Sequence, residues 1–343
     1  MRRRLGRRGL IIVVAATLLT SACGAAGSSA KEEGKTPTVV FSALQDPAPI
    51  PVLVMKKQGI DKKYGFHAKL LKVEAEASTQ TFLVGKSDIA VDQNAVSAAI
   101  ARNQGHDVVS FYPALNNTAA IVVPKDSPYQ TPKDLAGKKV GHFGDDSGTT
   151  QSIALALRVF YHVNPLKSYH LVKTGPAALP QLLASNQVSA IFDFEPFPLR
   201  AIQITPGRYL LKVTDVWQKK WDWSPPIAML TAKGEWLQQN PRLARKVVKA
   251  WKEATQKVID SDYSIFKKQP YRSFLNLKGE KELDALIDYC KKLPCYSNEW
   301  SKEDLQKQQR YLKLMVKSKS ILKKMPGQPS VVRLNDYLEQ HSG

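Results

Sequence analysis

From residue 38 onward, short β-branched runs alternate with segments whose apolar residues recur at helical spacing, the rhythm of an α/β protein. The pattern predicts strands over Val39–Leu44, Ala68–Val73, Asp88–Asp92, Val108–Tyr112 and Ala119–Val123. Helices over Pro51–Gln58, Ser78–Val84 and Ala95–Asn103 fall between them. Beyond Pro124 the rhythm restarts at Thr131-Pro132, a helix start with proline at its first position. Strands at Lys139–Phe143, Tyr169–Lys173, Ala190–Phe194 and Tyr209–Val213 then alternate with helices at Thr149–Tyr161, Ala177–Ser185 and Pro196–Ile204. A return strand, Ile227–Thr231, leads into a long helix from Glu235 to Ile259. Its stripe of Leu243, Val247, Val248, Trp251, Ala254 and Val258 is a core face. The tail, Tyr263–Leu338, is helical and amphipathic.

Two successive units of this kind predict an α/β fold of two lobes. Residues 37–123 with 225–343 form the first lobe, 124–224 form the second, and the tail packs back on the first. The chain then crosses between lobes twice, which makes a hinge with a cleft.

The N-terminus follows a different grammar. Arg2, Arg3, Arg4, Arg7 and Arg8 precede an apolar run, Leu10–Leu19, and then Thr20-Ser21-Ala22-Cys23-Gly24. That is the layout of an export signal cut before Cys23, whose thiol would carry a lipid; the run is too short to span a bilayer of about 30 Å. An ordinary signal cut that leaves Cys23 as a free thiol is the alternative. Residues 1–22 are thus the signal peptide and 23–36, rich in Gly, Ala, Ser and charge, a flexible tether. The expected location is extracytoplasmic, anchored to the cell membrane. In that compartment Cys290 and Cys295, five positions apart, are expected to form a disulfide, with two buried thiols as the alternative.

The formal charge is +20, five of whose cations are the signal arginines, and lysines thicken toward the C-terminus. They spread over amphipathic helices without interleaved aromatics, so nucleic acid is not the expected partner; a solvated basic face near an anionic membrane is.

Four stretches carry a resemblance: Phe82-Leu83-Val84-Gly85-Lys86-Ser87-Asp88-Ile89-Ala90, Pro132-Lys133-Asp134-Leu135-Ala136-Gly137-Lys138-Lys139-Val140-Gly141, Asp146-Ser147-Gly148-Thr149-Thr150, and Ala190-Ile191-Phe192-Asp193-Phe194-Glu195-Pro196-Phe197. In order and spacing over about residues 38–260 the chain resembles the type 2 periplasmic-binding-protein family, whose members serve importers for aliphatic sulfonates, nitrate and taurine or bind thiamine pyrimidine precursors. The resemblance implies a monomeric substrate-binding protein of an ABC importer that delivers a small solute to a membrane permease, with no cofactor. Physically the phrases are packing signals: Gly85 ends a helix where φ > 0 is wanted, and Leu135 and Val140 seat a helix on a strand.

Ligands of open α/β sheets bind beyond the carboxyl ends of the strands. That rule selects Gln45, Asp46, Glu74, Glu76, Gln93 and Asn94 in the first lobe, and Asp145 to Thr150, Asp193 and Glu195 in the second. Ser147, Gly148, Thr149 and Thr150 open a helix and offer hydroxyls and free N–H groups to an oxyanion, or else Ser147 or Thr149 simply caps that helix. Lysine and arginine are missing from all these loops while acids abound, so the cleft reads as acidic and suits a neutral or cationic heterocycle or a zwitterion. Glu195 is expected to accept from a ligand N–H, or to stabilise a helix N-terminus. Trp217, at the return crossing with Trp221 and Trp223, stacks on a ligand ring or packs the hinge.

A hydrolase would need a nucleophile, base and orienting acid. Ser110, Ser147 and Ser189 lack the G-x-S-x-G elbow, and the histidines show no paired metal-ligand spacing. His142 alone could face the cleft. Asp193 with Glu195, or Glu74 with Glu76, share a strand face and could hold a metal or do acid–base work. The reading adopted is a binding protein, not an enzyme, with no metal; an exported enzyme or metal-binding protein on the same fold is the alternative.

Overall fold

The computed structural model describes residues 36–341 apart from 75, 76, 146, 276, 278, 319 and 320. The signal segment, Cys23, the tether up to residue 35, Glu76 and Asp146 lie outside the described residues.

The first half carries β1 (Thr38–Ala43), α1 (Ile50–Gln58), α2 (Ile60–Lys63), β2 (His67–Lys72), α3 (Ser78–Leu83), β3 (Ile89–Gln93), α4 (Ala95–Asn103) and β4 (Val108–Leu115). The chain continues through β5 (Ala119–Pro124), β6 (Lys139–His142), α5 (Gly148–Ala156), α6 (Pro165–Ser168), β7 (His170–Lys173), α7 (Leu179–Ala184), β8 (Ala190–Phe194), α8 (Phe197–Ile204), β9 (Gly207–Lys212) and α9 (Val213–Trp221). It returns with β10 (Ala228–Lys233) and ends in α10 (Gly234–Gln239), α11 (Pro241–Asp260), α12 (Tyr271–Leu275), α13 (Glu280–Lys292), α14 (Lys302–Lys317) and α15 (Leu334–Gln340).

The strands form two five-stranded sheets on one plan, β2-β1-β3-β10-β4 and β7-β6-β8-β5-β9. In each, three strands run parallel and the fourth position is filled by an antiparallel strand that has just crossed from the other lobe, β10 in one and β5 in the other. This exchange is the reason for one correction. The sequence pattern puts Ala119–Val123 in the first lobe, yet β5 pairs with β8 and β9, so the first crossing is at 116–118. A β-branched run fits either sheet equally; its periodicity does not name its partner.

The local signals explain the element ends. Gly85 closes α3 at φ +81° as the sequence asked. The single helix expected from Glu235 breaks at Asn240, because Pro241 opens α11 and has no N–H to continue α10. The first-lobe core joins Phe41, Ile89 and Phe111 of the sheet to Met55 of α1 and Trp251 of α11. The second joins Ile121, Val140 and Phe192 to Ile153 of α5.

The tail departs from expectation at α14. Helices α11, α13 and α15 pack on the first core, but Tyr311, Leu312 and Met315 of α14 belong to the second. The capping box of Ser301 and Asp304 starts α14, and its buried stripe then packs with Ala95, Val96 and Ala99 of α4 as well as with Trp217 of the second lobe, so the helix touches both lobes.

Candidate functional site

Helices α4 and α5 follow the carboxyl ends of β3 and β6, one in each lobe. Asn94 caps α4 by accepting from Val96 N at 2.9 Å and Ser97 N at 3.0 Å. Ser147 caps α5 by accepting from Thr150 N at 3.1 Å and donates to Thr150 Oγ1 at 2.8 Å. The two helix starts meet: a Cβ built on Gly148 would lie 2.1 Å from Asn94 Nδ2. Only glycine lets the lobes approach so closely. Two positive helix ends, from opposite lobes, thereby converge on one point.

That point contains a cavity of about 10 Å³ lined by Asn94, Gly148, Ser152, Pro226, Gln308 and Tyr311, among others. Thr149 and Thr150, which follow Gly148 in α5, are buried. Asn117 Nδ2, in the first crossing, donates to Ser152 Oγ at 2.9 Å and to Pro225 O at 3.2 Å, so both crossings and α5 are tied together. A cavity of about 400 Å³ borders the crossings at Asn116, Asn117, Thr214 and Trp223, and none of the predicted loop residues line it.

The acids reached by the sequence rule are less negative than their number suggests. Asp46, bonded to Ala48 N at 2.8 Å, is pushed up to about 7, by burial and then by the charge of Asp92. Burial lifts Asp92 to about 6, against a hydrogen bond from Ser78 Oγ at 2.5 Å. Burial also raises Asp193 well above the usual carboxylate range, and the charge of Glu195 adds to this. Glu195 is carried up to about 8 by burial, although Tyr209 Oη donates to it at 2.6 Å and Leu199 N at 3.2 Å. Near neutral pH much of this charge is suppressed, which corrects the picture of an acidic wall. Among the described residues, two buried oxygens, Asp92 Oδ1 and Asp193 Oδ2, have no hydrogen-bond partner.

The predicted residues thus sort by position. Asn94 and Gly148 are in mutual contact, with Ser147, Thr149 and Thr150 at the same helix start. Gln93 Nε2 reaches Ser78 Oγ at 3.3 Å beside Asp92, while Gln45 is exposed. Glu195 is fully buried and both its oxygens are engaged, one of them by the first turn of α8, so it has the helix-terminal role rather than that of an open acceptor. Trp217 is a correction: it is fully buried against Phe160, Trp221 and Tyr311, at centroid distances of 4.8, 4.8 and 5.4 Å, and packs the second lobe. His142 is buried with Nδ1 3.7 Å from Asp145. Cys290 and Cys295 are joined, with Cα atoms 5.0 Å apart. Asn116 N donates to Cys295 O at 2.9 Å, so this disulfide loop is bonded to the first crossing.

Sequence reasoning missed Gln308 and Tyr311. Their signal was visible: a glutamine at the position of α14 where the buried stripe of Tyr311, Leu312 and Met315 calls for an apolar residue. Among the described residues, no cluster of three or more His, Cys, Asp or Glu could hold a metal ion, and no helix is long and apolar enough to cross a membrane.

Comparison with known proteins supports the architecture. The alkanesulfonate-binding protein SsuA from Xanthomonas axonopodis pv. citri, bound to MOPS, superposes with a TM-score of 0.69 at 14% identity, covering 88% of this chain and 99% of that one. The periplasmic nitrate-binding protein NrtA from Synechocystis PCC 6803 gives 0.63 at 16% identity, covering 90% and 89%. The desulfurization enzyme DSZB gives 0.60 at 14% identity, covering 89% and 99%. At such identities the likeness shows the fold, which is the two-lobed periplasmic-binding-protein fold. No curated protein matches by sequence. The NMT1-like family matches residues 30–264, well over half of the sequence, and the chain belongs to that family.

Proposed function

We propose that this protein is the lipid-anchored, extracytoplasmic substrate-binding component of an ABC importer, which captures a small solute by hinge closure and hands it to the permease as a monomer. The observation that carries the reading is the meeting of α4 and α5 at Asn94 and Gly148, one helix start from each lobe. A polar head group entering there is met by the positive helix ends of both lobes, so its binding favours the closed state over the open one. The sulfonate- and nitrate-binding neighbours support a solute of that kind.

Asp92 Oδ1 and Asp193 Oδ2 favour a second chemistry, because buried acceptors without partners suit a ligand N–H, as on a nitrogen heterocycle. An enzyme on the same fold is the rival class, in view of the desulfurization enzyme among the neighbours. Against it, Ser147 Oγ is engaged in the α5 cap and Ser110 Oγ lies 2.7 Å from Thr231 Oγ1.

Thermal melts against taurine, ethanesulfonate, nitrate, 4-aminopyrimidine, riboflavin and spermidine test the reading, since a ligand of the native state raises the midpoint by mass action. A rise with one chemical class supports it and chooses between oxyanion and heterocycle; silence across the panel moves weight to the enzyme. Cys23→Ser tests the anchor, and should move the protein from the membrane fraction to the soluble one.

A further inference from the structure

Gln308 lies on the buried stripe of α14, is 1% exposed, and has neither Nε2 nor Oε1 hydrogen-bonded among the described residues. An amide buried this way forfeits on the order of 1–3 kcal/mol for each group left unmet, and its stripe neighbours show that an apolar side chain fits the helix. Folding alone does not favour glutamine here. The residue borders the small cavity where Asn94 and Gly148 meet, beside Ser152 and Tyr311.

Helix α14 begins at Lys302, beyond the residues 30–264 that the family model matches. It spans the junction, since Tyr311 packs on Trp217 of the second lobe and Asn103 Nδ2, in the first, donates to Lys324 O at 2.8 Å just beyond α14.

We propose that Gln308 is a solute-contacting residue that determines specificity, its amide closing on a head group held between the starts of α4 and α5. The inference rests on the solute-binding reading above. An amide presents a donor and an acceptor side by side, so it is satisfied in full by a group that also does both, such as a carboxamide or a hydroxyl-bearing head; a bare oxyanion satisfies only Nε2. A cavity of about 10 Å³ holds roughly one water, which can meet the amide before the solute arrives.

The test is Gln308→Met, which conserves length and approximate volume, measured by calorimetric titration with each panel compound that raises the wild-type melt. The expected result is at least a tenfold weaker affinity, with a solute-free melting midpoint equal to or above that of wild type because the unmet amide is gone. Affinity within twofold of wild type would overturn the inference while leaving the solute-binding reading standing; a panel to which wild type itself is silent would sink both. Should Gln308→Met not fold, the wild-type ¹⁵N side-chain spectrum decides. The Gln308 NH₂ pair, assigned by its loss in Gln308→Glu, must shift on addition of the bound compound, and a pair that stays in place refutes the contact.

Discussion

Arg200 of α8, in the second lobe, and Glu282 of α13, in the first, form a two-bonded ion pair at 2.9 and 3.2 Å. The side chains are only 12% and 9% exposed, so the pair is a largely buried clasp between lobes, on a different pair of helices from the α4–α5 contact. Gln203 Nε2 donates to Lys281 O alongside it at 3.2 Å.

Removing one partner of a buried pair leaves an uncompensated charge, a loss of about 3–5 kcal/mol. Glu282→Ala should lower the melting midpoint by roughly 5–10 °C for a chain of this size and shift the lobes toward the open form. Calorimetry and small-angle scattering check this, and Arg200→Met added to Glu282→Ala should recover most of the stability.

Gly148→Ala inserts a methyl group 2.1 Å from Asn94 Nδ2. Its own lobe has room for the fold, so the cost falls on closure. Solute binding should weaken at least tenfold, about 1.4 kcal/mol, with little change in the secondary-structure spectrum. Asn94→Gly in that background removes the obstacle and still caps α4, so binding should return in part.

Glu195 carries a pH prediction. Its ordinary value is 4.5 and its folded value about 8, raised mainly by burial. Between these values the folded state holds more protons than the unfolded one, so stability from this group is full below about pH 4.5 and is lost as pH rises through 8. The slope is at most about 1.4 kcal/mol per pH unit. Asp46 and Asp92, also raised, add the same sign up to about pH 7. Glu195→Gln should therefore flatten the decline in urea midpoint between pH 5 and 8; an unchanged slope would show that the group ionises freely.

Trp217 separates packing from binding. Trp217→Ala empties a fully buried site and should cost about 3–5 kcal/mol in denaturant unfolding. The milder Trp217→Phe should fold and bind the solute with wild-type affinity, because the ring touches Phe160, Trp221 and Tyr311 rather than the junction cavity.

Much of this was legible in one dimension. The alternation of strand and helix marks both lobes, and the rule that sites sit beyond strand ends selects Asn94 and Ser147 to Thr150, which the fold brings to one junction. Of the two caps that meet, Ser147 is legible as one in the sequence, while Asn94 is read there only as a residue beyond a strand end. Asp46, Asp193 and Glu195 are selected as acids in the sequence, but charge in a sequence is formal and burial sets how much of it survives.

The sequence by itself determined the two α/β units and most of their helix starts, since these follow from local propensity and spacing within a few residues; that the starts of α4 and α5 face one another at Gly148 was decided by the tertiary structure. Only the tertiary structure decided that β5 joins the second sheet, that Trp217 is core, and that α14 brings Gln308 to the junction. Those outcomes depend on which distant surfaces bury one another, and hydrophobic burial is non-directional: an apolar stripe states that it will be covered without stating by what.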